Sequence, residues 1–286
     1  MTRQLRLAIP NKGRLVEPTV QLLKDAGLVF EAGERALMAH VQNFDLDILF
    51  VRTNDIVEFI ADGVADLGIT GLDLVAEAGR DVAQLRLLGY GRCRLTAAVP
   101  VDSPYKCAAD LAGLRVATSH LALTRRYFAD RNIAVDVVPV SGAAEVAPRL
   151  GLADAIVDLV STGSTMVVNG LRPIEEVFAS EAVLLANPEA LREKPAVLAS
   201  FETMLSATLA ARDRKYLMMN APQEKAEELE ALLPGLESPS VIPLAHKGMI
   251  AIHAVVDADA VWSLLPRLKA AGASGILILP IEKLVS

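Results

Sequence analysis

"GLADAIVDLVSTG" (residues 151–163) opens on Gly-x-Ala-Asp, runs through apolar residues of strand character and ends in a turn of small and hydroxyl side chains. An earlier stretch, "GVADLGITG" (63–71), follows the same plan. Each reads as a β-strand leaving through a small-residue turn, and open α/β sheets bind ligands at the carboxyl ends of their strands. The repetition predicts two α/β lobes whose corresponding strand ends face one cleft. Gly-x-Ala-Asp also marks any passage from helix to strand, so for the first copy alone a purely structural reading is equally good.

The surrounding sequence fits that frame. Leu5–Ile9 reads as a buried strand, and Leu15 to Ala26 as a helix with Val16, Val20 and Leu23 on one face and Gly27 as its stop. Asp47–Val51 is the next strand, followed by a helix through Ile60 that Asn54 is placed to cap. Asp66–Thr70, Arg94–Val99, Leu114–Thr118, Val135–Val138 and Ala155–Val160 are further strand candidates, mostly separated by helical segments. Such alternation predicts an α/β fold with largely parallel sheets. Residues 188–212 read as a connecting helix. From Lys215 onward the order is strand (216–220), helix with Pro222 at its first position, strands (240–245 and 249–256), helix (258–271) and strand (275–281). That βαββαβ order is the ferredoxin-like module, with Pro266 expected to kink the second helix. The division is a first lobe of 1–91 and 180–212, a second lobe of 92–179, and a carboxy-terminal module of 213–286.

A chain of 286 residues that is 52% hydrophobic has ample material for a core. Its net charge of −7 repels nucleic acid and anionic membranes, so neither is expected as a partner. The two cysteines, Cys93 and Cys107, have neither disulfide nor zinc spacing. Lys12 and Arg14 interrupt any leader-like apolar core near the start, and no stretch reaches membrane-span length. The expected location is the cytoplasm.

The turn after the 155–160 strand is suited to hold a phosphate. Gly163 lets the backbone come close, Ser161, Thr162, Ser164 and Thr165 add hydroxyls, and a following helix start favours an anion. There is no G-x-x-x-x-G-K-[ST], so this is not a P-loop, and for the turn alone an ordinary helix cap explains as much. Asp154 and Asp158 flank the run with even spacing, which places both on one strand face. A carboxylate there reaches a ribose or orients the waters of Mg²⁺. Lys12 and Arg14, with Gly13 between them, follow the first strand, where positive charge opposes the helix dipole and an anionic ligand would justify it. His40, His120, His246 and His253 lack ligand spacing, and only His120 lies near a strand-to-helix turn. Trp262 reads as core or interface.

"DAIVDLVSTGSTMVVNGL" (154–171) resembles the phosphoribosyl-pyrophosphate motif of the ATP phosphoribosyltransferase family, long form. "NKGRL" (11–15), "DILFVR" (47–52), "DGVADLGITG" (62–71), "KYLMMNAP" (215–222) and "GASGILILPIEK" (272–283) match it in order. The family motif usually has Ala at the position of Ser164. The resemblance implies two lobes around a cleft, like periplasmic binding proteins, plus a ferredoxin-like (ACT-like) regulatory domain. It implies that N1 of ATP displaces pyrophosphate from phosphoribosyl pyrophosphate, with Mg²⁺, as the first step of histidine biosynthesis. By it, Asp154 and Asp158 are catalytic and face ribose and metal, and Asp154, Ala155, Asp158, Ser161, Thr162, Gly163, Ser164 and Thr165 hold the ribosyl donor. Lys12, Gly13, Arg14, Arg52, Gly71 and Asp73 take the ATP side. Histidine as feedback effector is implied at Asn220, Leu236, Ser238, Ser240 and Ala273, in a homo-oligomer between dimer and hexamer. The rival readings are a non-catalytic solute receptor and a silent regulatory subunit, and pyrophosphate release separates both from the enzyme.

Overall fold

The computed structural model describes residues 4–31, 33, 36–161, 164–233 and 238–285. By contacts the chain divides into two compact units, Met1–Gln21 with Leu28–Pro195, and Leu22–Gly27 with Ala196–Ser286. The chain begins β1 (Leu5–Pro10), α1 (Val16–Asp25), β2 (Met38–His40), β3 (Leu46–Val51), α2 (Ile56–Ala61), β4 (Leu67–Gly71), α3 (Leu72–Ala78) and β5 (Ala83–Leu87). A second lobe follows: β6 (Cys93–Pro100), β7 (Arg115–Thr118), α4 (Leu121–Ala129), β8 (Asp136–Pro139), β9 (Ala155–Val160), α5 (Ser164–Val168) and β10 (Leu171–Ser180). The chain then returns to the first sheet as β11 (Ala182–Ala186).

The first sheet has the order β2-β3-β1-β4-β11-β5 and the second β10-β6-β9-β7-β8. Strand β1 is parallel to both β3 and β4, and Leu7, Ala8 and Ile9 are fully buried, as a strand covered on both faces requires. On β4, a methyl group at Gly68 would collide with Ile56 and Ile60, so only glycine lets α2 lie this close to the sheet. The second lobe packs Leu95, Val99, Val116 and Val157 of its sheet under Leu123, Tyr127 and Phe128 of α4.

Both sheets are mixed rather than largely parallel. β7 is parallel to β8 and β9, but β6 pairs antiparallel with β9 and β10, and β11 antiparallel with β4 and β5. The antiparallel strands include the two that carry the chain between lobes, since a strand that leaves one sheet and returns runs against its neighbours. The crossings lie side by side: Ser180 pairs with Cys93, Leu88 N donates to Ala182 O (2.9 Å) and Ala182 N to Tyr90 O (2.9 Å).

After β11, Asn187 caps α6 (Pro188–Glu193) by accepting from the Glu189 and Ala190 amides, and Pro195 opens α7 (Pro195–Arg212). Two helices thus replace the single connecting helix, and α7 from Ala196 groups with the carboxy-terminal unit rather than with the first lobe. That unit continues β12 (Arg214–Pro222), α8 (Ala226–Glu230), β13 (Ser240–Pro243), β14 (Met249–Asp257), α9 (Val261–Ala270) and β15 (Ser274–Pro280), in the sheet order β13-β14-β12-β15. This is ferredoxin-like topology. Leu217, Met219, Ile252, Leu229, Leu264 and Leu268 form its core. Pro222 ends β12 instead of starting α8, which begins after a 3₁₀ turn at Gln223–Lys225. Pro266 sits inside α9 on its exposed side, where water can satisfy the carbonyl that loses its partner. Trp262 is 80% exposed in the single chain, so it is not core. No helix among the described residues is long and apolar enough to cross a membrane.

Candidate active site

The carboxyl ends of the parallel strands from both lobes meet at one cavity of about 320 Å³. Lys12, Gly13, Arg14 and Leu15 come from the segment after β1, Thr53 and Asn54 from that after β3, and Gly71, Asp73 and Leu74 from the junction of β4 and α3. The second lobe supplies Ser119 and His120 after β7, Ser141 after β8, and Leu159 of β9. The predicted cleft is therefore present, and β4 and β9 both face it. Arg52 is not among its lining residues, and Asn54 lies in a 3₁₀ turn without a side-chain cap.

Lys12 is exposed and joins none of the ion pairs found among the described residues. Arg14 is held back onto the first crossing, donating from Nη1 to Gly91 O and from Nη2 to Cys93 Sγ (2.9 Å). Burial pushes the Cys93 thiol up, against the pull of the Arg14 charge.

Asp73 is almost fully buried and its carboxylate is engaged on both sides. Ser180 Oγ donates to Oδ1, and His120 Nε2 lies 3.2 Å from Oδ2. Ser180 Oγ also accepts from the Asp73 amide at 3.0 Å. Burial alone would raise this carboxyl, but the hydrogen bonds from His120 and Ser180 outweigh it and hold the group below the ordinary carboxylate range. A side chain at Gly71 would strike Oδ1, so the missing Cβ is what lets the carboxylate fold back. On its other edge, His120 Nδ1 is 3.1 Å from Ser119 Oγ, and Ser119 is exposed while His120 is buried. The chain Asp73–His120–Ser119 thus spans the two lobes, as does Glu77 of α3, whose carboxylate accepts from the Ala122 and Leu123 amides at the start of α4 (2.8 and 2.9 Å). Sequence reading gave Asp73 a nucleotide contact and found no Ser-His-Asp arrangement. Asp73 lines the cavity with both carboxylate oxygens already engaged by protein partners, and the structure assembles that arrangement from residues 47 positions apart.

The two aspartates of the 154–163 run separate. Asp158 lies near the carboxyl end of β9, beside Glu145, Ser161 and Thr165 around a small cavity of about 40 Å³. Burial raises its carboxyl, the Leu159 amide works against that, and the Glu145 charge adds to it. Asp154 precedes β9 at the opposite end, roughly 20 Å from Ser161 at strand rise. There it takes two hydrogen bonds from the Arg115 guanidinium, at 3.2 Å from Nε and 2.9 Å from Nη2, plus one from the Arg115 amide at 3.0 Å. These bonds hold its carboxyl low. Asp154 thus stands before the first residue of β9, at the end of the strand away from Ser161, and Ala155 is fully buried in the lobe core.

Of the hydroxyl turn, Ser161 and Thr165 are exposed, Ser164 begins α5, and Thr162 and Gly163 lie outside the described residues. Ser161 also borders a larger cavity of about 550 Å³ at the crossings, lined by Leu72, Arg92, Cys93, Arg94 and Ser180 among others. The smaller cavity remains the candidate centre because the strand ends point into it. Arg92 and Arg94 were missed by sequence reading; they pair with Glu181 and Glu176 at 3.1 and 3.5 Å. In the carboxy-terminal unit, Asn220 is exposed on β12, and its carbonyl lies 3.4 Å from Ser274 Oγ. Ser240 opens β13 opposite His253, and Ser238 is exposed just before it. Ala273 is packed into the core, so its side chain is not available to an effector. Leu236 lies outside the described residues.

Comparison with known proteins agrees with this architecture. The family model for ATP phosphoribosyltransferase matches residues 52–207, and the model described as "HisG, C-terminal domain" matches 211–283. ATP phosphoribosyltransferase of Methanosarcina barkeri is 45% identical over 288 residues, covering 98% of this chain and 99% of the relative. That of Cytophaga hutchinsonii is 44% identical and covers all of both chains. Among solved structures, a chain of the ATP phosphoribosyl transferase (HisG:HisZ) complex from Thermotoga maritima is 31% identical with a TM-score of 0.62, covering 71% of this chain and 96% of that one. Two lobes with converging strand ends, a ferredoxin-like carboxy-terminal unit and full-length kinship together mean that the chain belongs to the ATP phosphoribosyltransferase family, transferases that open histidine biosynthesis.

Proposed function

We propose that the strand-end cavity receives ATP and the Ser161 end of β9 receives phosphoribosyl pyrophosphate. The N1–C1 bond forms as the bond from C1 to the pyrophosphate oxygen breaks, and pyrophosphate leaves with the bonding electrons. The observation that carries the reading is the meeting of the strand ends of both lobes around one cavity that holds Lys12 and Arg14. A direct displacement needs no covalent nucleophile. The side chains orient two anionic substrates and support an electron-poor sugar carbon. Lys12 and the remaining N–H groups of Arg14 suit the nucleotide phosphates, and the Ser161–Thr165 turn suits the 5-phosphate. Asp158 attends the ribose.

Family membership is consistent with a divalent metal requirement, and Mg²⁺ is the ion we propose. Among the described residues no group of three or more His, Cys, Asp or Glu is assembled for a metal. Mg²⁺ is commonly held by substrate phosphates with one or two carboxylates, and Asp158 and Glu145 border one small cavity together. When bound, the ion neutralises charge on the departing pyrophosphate. Histidine as effector, contacting Asn220, Ser238 and Ser240, a homo-oligomer between dimer and hexamer, and a cytoplasmic location complete the proposal. Mixing the protein with Mg²⁺, ATP and phosphoribosyl pyrophosphate is the test. Release of pyrophosphate that needs both substrates is expected, and none at all would refute the reading.

A further inference from the structure

The exposed hydroxyl of Ser119 has a hydrogen-bonding polarity dictated by what stands behind it. Asp73 is an ionised carboxylate in a buried setting and only accepts, so the ring nitrogen facing it, Nε2 of His120, carries a proton. In the neutral imidazole Nδ1 is then bare and accepts, and the Ser119 hydroxyl 3.1 Å away donates its only proton to it. The Ser119 oxygen is left with lone pairs alone toward the cavity. Ser180, which donates to the far oxygen of Asp73, fixes the start of this chain.

The cavity pairs that acceptor with apolar walls from Leu15, Leu74 and Leu159, while its cations stand at Lys12 and Arg14. A nucleotide has one apolar plane and one anionic end, so the base belongs against the leucines and Ser119. We propose that Ser119 selects a 6-amino purine over a 6-oxo purine by accepting a hydrogen bond from the exocyclic amine, with His120 as the positioning residue that denies Ser119 a donor. The inference rests on the cavity being the nucleotide site. A 6-oxo base would meet oxygen lone pairs with its own lone pairs, and an unmatched polar contact of this kind is what gives strong discrimination.

The test measures affinity, because N1 of a 6-oxo purine bears a proton and reports on chemistry as well as recognition. ATP and inosine triphosphate are titrated against the full-length protein, wild type and variants, and the ratio of the two dissociation constants is compared. Ser119→Ala is expected to reduce the preference for ATP about tenfold or more, and Ser119→Thr, which keeps the hydroxyl, to retain it. His120→Gln keeps a donor for Asp73 and removes the acceptor at Nδ1. It is expected to tighten inosine triphosphate by about tenfold while ATP stays within roughly threefold, a split that general loosening of the fold would not produce. An unchanged ratio in both Ser119→Ala and His120→Gln, in a wild-type protein that releases pyrophosphate, overturns this inference alone. A wild type that binds neither nucleotide and releases nothing overturns the functional reading with it.

Discussion

Burial raises the carboxyl of Asp158, whereas the Arg115 pair lowers that of Asp154. These opposite environments give opposite predictions. A raised folded pKa means the folded state holds the proton more tightly than the unfolded chain. The ionised Asp158 therefore lowers stability as pH rises from about 3.9 through its folded value. Asp158→Asn should remove that loss, melting no lower than wild type at neutral pH, while pyrophosphate release falls about a hundredfold or more. Asp154→Asn should change turnover by less than about twofold, since its carboxylate serves an exposed pair at the far end of the strand. Parallel melts and turnover assays of the two variants decide both; a large turnover loss in Asp154→Asn would return that residue to the site. At this scale the sequence was legible where a residue type is odd for its place. Lys12, Gly13, Arg14 and Gly71 all line the cavity. It was illegible where the partner is remote: Ser119 and His120 look like an ordinary turn until Asp73 is brought to them. Arg52 is not among the lining residues, which after β3 are Thr53 and Asn54.

Helix α3 carries Asp73 and Glu77 four residues apart, on one face, and both reach the second lobe. Glu77 acts as a cap supplied from another element, its two oxygens meeting the free amides of α4 while its charge suits the helix start. Glu77→Ala should cost about 1 kcal/mol, read as a lowered urea midpoint with unchanged slope, and no shift in midpoint would mean that water caps α4 equally well. The strands with apolar runs were visible in the sequence to within a residue or two at most ends, because burial on both faces demands unbroken hydrophobicity. Among the strands that were not named, three have physical reasons for silence. β10 carries Pro173, Glu175 and Glu176 at the sheet edge with register shifts, so its period of two is broken. β11, "AVLLA", is buried throughout and equally suited to a helix. β2 has only three residues.

For the molecule as a whole, the ferredoxin-like unit was legible because its turns and periodicity alternate cleanly. The end of the first lobe was not, since nothing in the composition of α7 shows which neighbours it buries Phe201 and Leu205 against. Leu284 N donates to Ala207 O at 2.9 Å, so α7 and the carboxy-terminal tail fold together. Truncation near Arg214 would strand that helix, and point variants are the sounder probe of the proposed effector site. Asn220→Ala combined with Ser240→Ala should raise the histidine needed for half-inhibition about tenfold and leave turnover without histidine unaltered. Inhibition curves that overlay the wild type would move the effector site elsewhere.

The register that sets Ser180 opposite Cys93 has an evolutionary reading. Because the ends of the 93–180 segment emerge as neighbours on adjoining strands, this lobe has the form of a cassette spliced into a host fold, needing no rearrangement at the seam. Expressed alone, the excised piece should melt cooperatively as a small autonomous protein, and the remainder, its gap bridged by a short glycine-serine tether, should keep its own strands. A disordered fragment, seen as collapsed amide dispersion in NMR, would mean instead that the segment and its host arose and fold as one.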